Sequence, residues 1–167
     1  TLEIEVAGTA PGTTYDRLVI GGTATLAGTL RTTLANGFYP SANANFMFLT
    51  AASSSGAFAA IYYPSNDVGE QVVYTANSAS IKIINVRPNL PAITPQTIDE
   101  MALFTLPVGA TDDDTPAQTL SYALLNAPAG ATVNGSGAIN WMPTEQQGPL
   151  TTNLTVRVTD NGTPNLS

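Results

Sequence analysis

The chain has 167 residues, of which 43% are hydrophobic and only 10% charged, and its 12 acidic against 5 basic residues give a net charge of −7. That acidity repels a phosphate backbone and excludes a nucleic-acid partner. The absence of cysteine and histidine removes disulfides, thiolate metal sites and the commonest general base.

A soluble domain ordinarily carries about 25% charged residues; here Thr, Ser, Asn and Ala fill the surface instead, which suits a secreted or cell-surface protein. No apolar run reaches the roughly 18 residues of a membrane span, and no signal peptide is recognisable, so no membrane insertion is expected. The sequence starts and stops in mid-pattern, as a mature or excised piece of something longer would.

Leu2, Ile4 and Val6 alternate with Glu3 and Glu5, which predicts a strand with one buried face. Two carboxylates on the other face could mimic a glycosidase pair, but they are the ordinary dress of an exposed edge strand. Tyr15-Asp16-Arg17 reads as a turn entering a strand, with the aspartate bonded to backbone. In TATLAGTLRTTL, residues 23–34, Leu26, Gly28, Leu30, Thr32 and Leu34 share one face. Gly21-Gly22, and Gly28 inside that strand, predict bulges or a close neighbouring backbone. Strands are expected in NFMFLT, GAFAAIYY, QVVYTA and ASIKIINV, punctuated by Asn36-Gly37, Pro40, the Ser53–Gly56 tract and Pro64.

Pro88, Pro91 and Pro95 then interrupt the alternation and predict an extended, semi-rigid connection. A boundary there divides the chain into modules 1–87 and 88–167. Beyond it, TIDEMALFTLPVGA, LSYALLNA, GATVNGSGAINWMP and LTTNLTVRVTDNG read as short strands separated by turn signals, the spacing of a small β-sandwich. Trp141, Tyr122, Leu124, Ile139, Leu154, Val156 and Val158 form its expected core. The fold class is therefore all-β, with two β modules in tandem.

The tract GATDDDTPAQTLSY, residues 109–122, carries most of the chemistry the sequence offers. On extended backbone Asp112 and Asp114 point to one side and Asp113 to the other, so the tract supplies two candidate metal ligands. Calcium takes six to eight oxygens, chiefly carboxylates and carbonyls. Catalysis is not expected: no serine has a base, because histidine is absent and the single lysine, Lys82, lies in mid-strand. Three Asn-x-Ser/Thr triplets, at Asn134, Asn153 and Asn161, are of the kind that arises by chance in a Thr-rich chain.

Two resemblances add to this reading. GTAPGTTYDRLVIGGTATLAGTLRTTLANGFYPSANANFMFLTAASSSGAFAAIYY, with its Tyr-Asp pair, Gly-Thr-Ala, Gly-Thr-Leu strand, Pro-containing turn and Gly-x-Phe, resembles the segment that closes parallel β-helices in bacterial autotransporter-like surface proteins. It implies a capping or stalk element, since a solenoid needs a terminal piece to hide its core and block edge pairing. From Pro91 on, TIDE with Glu100, ATDDD, PAGATVNGSGAINWMPTE and VRVTDNGTPNLS resemble cadherin-like and Ig-like modules of bacterial surface proteins. That family ordinarily ends with one more strand than this sequence reaches.

The second resemblance implies that the ATDDD and TDNG loops share one end of the sandwich, with Asp160 as third carboxylate and Asn89 as the last residue of a calcium-binding linker. The metal set is then Asp112, Asp114, Asp160 and Asn89, with Ca2+ as the cofactor. The linker Asn85-Val86-Arg87-Pro88-Asn89 departs from the family's Asp-x-Asn-Asp-Asn, and a guanidinium at Arg87 competes with calcium for the same carboxylates. A plain solvated turn is the third reading. Glu100 and Glu145 match family positions at the other end and are expected to be exposed.

The expected function is a non-catalytic structural and adhesive segment, extracellular or at the cell surface, whose partners are neighbouring modules of the same or identical chains or a cell-surface glycan. Two alternatives accompany it. In one, the alternating strand TLEIEVAG fills the open groove of a neighbour's second module and builds a fibre by donor-strand addition. In the other, Tyr39, Tyr62, Tyr63 and Trp141 stack on sugars.

Overall fold

The computed structural model describes residues 1–63 and 68–167; Pro64, read above as a break between strands, lies outside them. Strands dominate throughout, with one short 3-10 turn at Glu145–Gln147. The chain divides into two compact units, Thr1–Val86 and Arg87–Ser167.

In the first unit, successive strands alternate between two sheets. β1 (Leu2–Val6), β3 (Thr29–Leu34) and β5 (Ala60–Tyr62) lie side by side in parallel. β2 (Leu18–Leu26) and β4 (Asn45–Gly56) do the same in the second sheet. Leu2 is in register with Leu30, and Leu30 with Ile61, so the chain returns to the same sheet after roughly 30 residues, within the repeat length of solenoid proteins. This winding then stops. β6 (Val68–Tyr74) and β7 (Ser78–Val86) form an antiparallel hairpin, and β7 docks antiparallel on β4.

The alternation of the sequence explains the core. Ile4 and Val6 of β1, Leu26 of β2, Leu30 of β3, Phe46, Phe48 and Leu49 of β4, and Ile81 and Ile83 of β7 are buried between the sheets, while Glu3, Glu5, Arg31 and Lys82 point outward. Tyr15 and Phe38 close one side by edge-on contacts with Phe46, at 5.5 and 6.1 Å between ring centres.

Glycines and serines account for the differences from expectation. A register shift between Ile20 and Thr23 places the bulge at Gly21-Gly22, as read. Gly28, however, lies between strands, with a φ of 74° that ends β2 and begins β3. The Ser53–Gly56 tract is not a break but the last third of β4, because Thr23–Leu26 of the neighbouring parallel strand pairs with it and Thr23 shares a hydroxyl hydrogen bond of 2.9 Å with Ser53. Correspondingly, GAFAAIYY does not extend from Gly56; β5 is confined to Ala60–Tyr62.

A buried polar bond joins the two sheets of this unit. Thr32, on β3, donates its hydroxyl to Glu70 Oε2 on β6 at 3.0 Å, and both residues are buried. Burial pushes the Glu70 carboxyl above the ordinary glutamate range, with the Thr32 hydrogen bond opposing the shift.

The second unit has two small antiparallel sheets. β10 (Thr132–Val133), β11 (Ala138–Trp141) and β8 (Phe104–Pro107) form one in that order, and β12 (Thr155–Thr159) with β9 (Ser121–Leu125) forms the other. Ile139, Trp141 and Val158 are buried as expected, joined by Val108 and Leu166; Tyr122, Leu124, Leu154 and Val156 are only half-buried. Trp141 donates its indole N–H to the Ala129 carbonyl at 3.2 Å. Gly137 holds a φ of 81°, and a Cβ there would meet the Tyr122 ring at 2.7 Å, so the turn into β11 requires glycine.

A group whose folded value is raised contributes stability that is fully present below its unfolded value and is lost as pH rises through the folded one. Replacing Glu70 by glutamine keeps an acceptor for Thr32 without the buried charge. Thermal melts of Glu70→Gln are expected to lie above the parent's at neutral pH and to converge with them below the ordinary glutamate range.

Candidate functional site

The aspartates singled out in the sequence gather at one end of the second unit. β8 leads into the loop that carries Asp112–Asp114, and β12 leads directly into Asp160. The two loops touch: Thr119 N donates to Asn161 Oδ1 at 2.8 Å. The segment beginning at Pro88 joins them through Asn89, whose N–H reaches Thr111 O at 2.7 Å while Thr111 N returns to Asn89 O at 3.0 Å. The structure therefore brings Asn89, Asp112, Asp114 and Asp160 into one loop cluster. Arg87 is exposed and opens the unit.

Each acid has a distinct environment. Asp113 is exposed, Asp112 half-buried and Asp114 buried, in keeping with alternation along extended backbone. Asp112 Oδ1 accepts the Asp114 N–H at 2.9 Å, and Asp114 Oδ2 accepts from Gln118 Nε2 at 3.1 Å. Asp160 is 2% exposed. Its Oδ1 accepts two backbone N–H groups, from Gly162 and Leu166, each at 3.0 Å. Its own backbone N–H donates to Leu166 O, and its carbonyl accepts from Asn165 Nδ2 at 2.9 Å. The side chain closes the loop of residues 160–166 on itself.

This is a bracket of hydrogen bonds in which the acids serve as backbone acceptors. Among the described residues, no three acidic side chains are gathered so as to hold a metal ion. Asp112 and Asp160 each turn one oxygen toward nearby main-chain N–H groups. Asp112 Oδ2 is a buried oxygen without a hydrogen-bond partner among the described residues.

Asn161, Gln118 and Leu166 belong to the cluster, yet the sequence reading assigned them no part in it. The signal was available: an Asp or Asn whose side chain accepts from the N–H two residues on makes an Asx turn, and Asp112-Asp113-Asp114 and Asp160-Asn161-Gly162 both have that form. Asn134 is a third case, its Oδ1 accepting from Ser136 N at 3.1 Å and Ala138 N at 2.9 Å. Glu100 and Glu145 are exposed.

The aromatic residues proposed for sugar stacking are scattered in role. Trp141 is buried; Tyr62 is exposed but carries the Arg31 guanidinium 5.3 Å from its ring centre. Asp16, in the Tyr-Asp pair, accepts the Glu5 N–H at 2.8 Å and is the backbone-bonded turn residue expected. No helix is long and apolar enough to cross a membrane among the described residues.

A family model described as Putative Ig domain matches residues 83–167, covering the second unit and its loop cluster. No significant match was found among curated proteins or solved structures.

The two hydrogen bonds to a buried carboxylate make Asp160 the keystone of the loop, since bonds to charged acceptors contribute more than neutral ones. Asp160→Ala is expected to cost about 2–4 kcal/mol in urea unfolding, whereas Asp160→Asn, which keeps the Oδ1 acceptor, retains most of the stability. Equal losses in the two variants would remove this role.

Proposed function

This chain belongs to the Putative Ig domain family, and from that premise we propose that it is a non-catalytic structural and adhesive segment of a large secreted or cell-surface protein. The observation that carries the reading is the family match over a unit of two small antiparallel sheets whose acids are occupied in bracing loops. Low charge and a Thr/Ser/Asn-rich surface support an extracellular setting.

The first unit fits the same reading as a capping or stalk element. Its support is the winding of β1–β5, two parallel stacks, ended by the antiparallel β6–β7 hairpin. An antiparallel hairpin breaks the repeat that a further coil would need, which is what a terminal element does. The fibre alternative loses its donor. The strand within TLEIEVAG is β1 itself, with Ile4 and Val6 each 1% exposed in the core of its own unit, and releasing it would expose that core. The module partners are then neighbouring segments of the same protein.

Localisation tests the reading directly. An antibody raised against this chain is expected to label the parent protein on intact source cells or in their medium, and protease added to intact cells to remove that label; a parent protein confined to the cytoplasm would overturn the assignment.

The loop cluster is proposed to act as a hydrogen-bonded brace that works without metal. Thermal unfolding in excess calcium and in excess chelator is therefore expected to coincide. Stabilisation of roughly 2.7 kcal/mol at a calcium concentration about 100 times its dissociation constant would instead install the ion at Asp112, Asp114, Asp160 and Asn89, with Asp112 Oδ2 as the oxygen that favours it.

A further inference from the structure

The chain has three Asn-Gly pairs, Asn36-Gly37, Asn134-Gly135 and Asn161-Gly162. Asparagine is a thermolabile residue, and before glycine its carboxamide carbon faces a backbone nitrogen that no Cβ shields. All three asparagines are exposed, so access to solvent does not separate them. Their hydrogen bonds do.

Asn134 is held on every side. Its Oδ1 accepts from Ser136 N, Ser136 Oγ and Ala138 N at 3.1, 2.8 and 2.9 Å, its backbone N–H donates to Ala138 O, and its carbonyl accepts from Gly137 N, each at 3.0 Å. Asn161 is held through both groups that would react: its Oδ1 accepts from Thr119 N at 2.8 Å, and Gly162 N donates to Asp160 Oδ1 at 3.0 Å. At the first pair neither group is engaged, since among the described residues the Asn36 side chain and the Gly37 N–H take part in no hydrogen bond. The pair forms the centre of a tight turn, with φ of 55° and 71°, closed by the bond from Phe38 N to Ala35 O at 3.0 Å. The space beside Gly37 is open. Rotation about the Asn36 Cα–C bond, which brings the Gly37 nitrogen onto the carboxamide carbon, has that turn bond to break, where the same motion at Asn134 has several.

We propose that Asn36-Gly37 is a site of spontaneous deamidation in the folded chain, with water as the co-reactant, and that hydrogen bonding protects the other two pairs. The Gly37 nitrogen bonds to Asn36 Cγ and the Cγ–Nδ2 bond breaks; the Gly37 proton passes through solvent to the leaving nitrogen, which departs as ammonia and leaves a cyclic succinimide. Water then adds to one of the two ring carbonyls, and opening the ring gives aspartate or isoaspartate at position 36. Nothing is oxidised or reduced. Asn36 lines a polar pocket of about 240 Å³ together with Glu5 and Asp16, so the new carboxylate arrives beside two others. The isoaspartate form also adds a backbone carbon next to Ala35, whose N–H ties the turn to Val6 O at 2.9 Å.

The test is peptide mapping by mass spectrometry of the full chain after incubation in warm, mildly alkaline heavy-oxygen water, which labels each newly formed carboxylate. In the folded chain Asn36 is expected to convert at least about tenfold faster than Asn134 and Asn161, a factor equivalent to roughly 1.4 kcal/mol. In concentrated urea the three rates should come together. Asp160→Ala, which frees Gly162 N, should speed conversion at Asn161 alone, whereas Asp160→Asn should not. Should Asp160→Ala fail to fold, judged by Trp141 fluorescence, the folded and urea rates of the parent decide. Conversion at Asn36 no faster than at the other two pairs in the folded chain, the same ranking persisting in urea, or an unchanged Asn161 rate in folded Asp160→Ala would each overturn the proposal.

Discussion

The constraint on which this structure depends is that every strand leaves one row of backbone N–H and C=O groups on each side, and those rows must be paired, covered or left to water. A chain with no helix longer than one 3-10 turn among its described residues meets that constraint with strands and loops alone. The first unit does so by winding, each strand finding its partner about one solenoid repeat away, and by ending the winding with the antiparallel β6–β7 hairpin. Along the outer edge of β1, Asp16 and Thr14 serve as a substitute strand. The second unit, built of shorter strands in two separate sheets, has less backbone paired in ladders and relies on side chains to hold its loops.

The same contrast governs the cores. Between the sheets of the first unit, apolar residues from six of its strands are nearly inaccessible, and a hydroxyl–carboxyl bond crosses the gap. Placing Glu70 there costs desolvation, which is why its carboxyl favours the protonated form more than an exposed glutamate does. In the second unit several expected core residues remain half-buried, and the greatest shortfall lies on the β9–β12 sheet, where Tyr122, Leu124 and Val156 sit.

Much of this was legible in the residues. Period-2 alternation located Ile4, Leu30, Ile139 and Val158 in the interior, and Gly-Gly located the bulge, because both signals are local. What could not be read locally was pairing. Ser53–Gly56 has the composition of a loop, yet it continues β4 because a parallel neighbour some thirty residues earlier in the sequence supplies hydrogen bonds to it. For the same reason TLEIEVAG could be mistaken for a free strand: its sequence shows an apolar face but not that β3 already lies beside it. The loop cluster was legible in its location, through the likeness of ATDDD and TDNG to a known arrangement of loops, while its hydrogen bonding was not read.

That last difference follows from what an aspartate does when it sits in a turn. A carboxylate can satisfy cations or main-chain N–H groups, and in a loop the nearest donors are its own, two residues along the chain. Asp112, Asn134 and Asp160 all accept from that N–H, so the spacing of acids that suggests a metal site is also the spacing that builds Asx turns. Asp160 carries the fullest set of such bonds. Its Oδ1 is engaged by two main-chain donors, one of which, from Leu166, spans the whole loop and fixes a buried leucine in the core. A metal drawing on that oxygen would compete with bonds that shape the loop, whereas Asn89, reached only through its backbone pairing with Thr111, keeps an exposed side chain. Asp112 and Asp160 thereby let short strands end without orphaned backbone N–H groups.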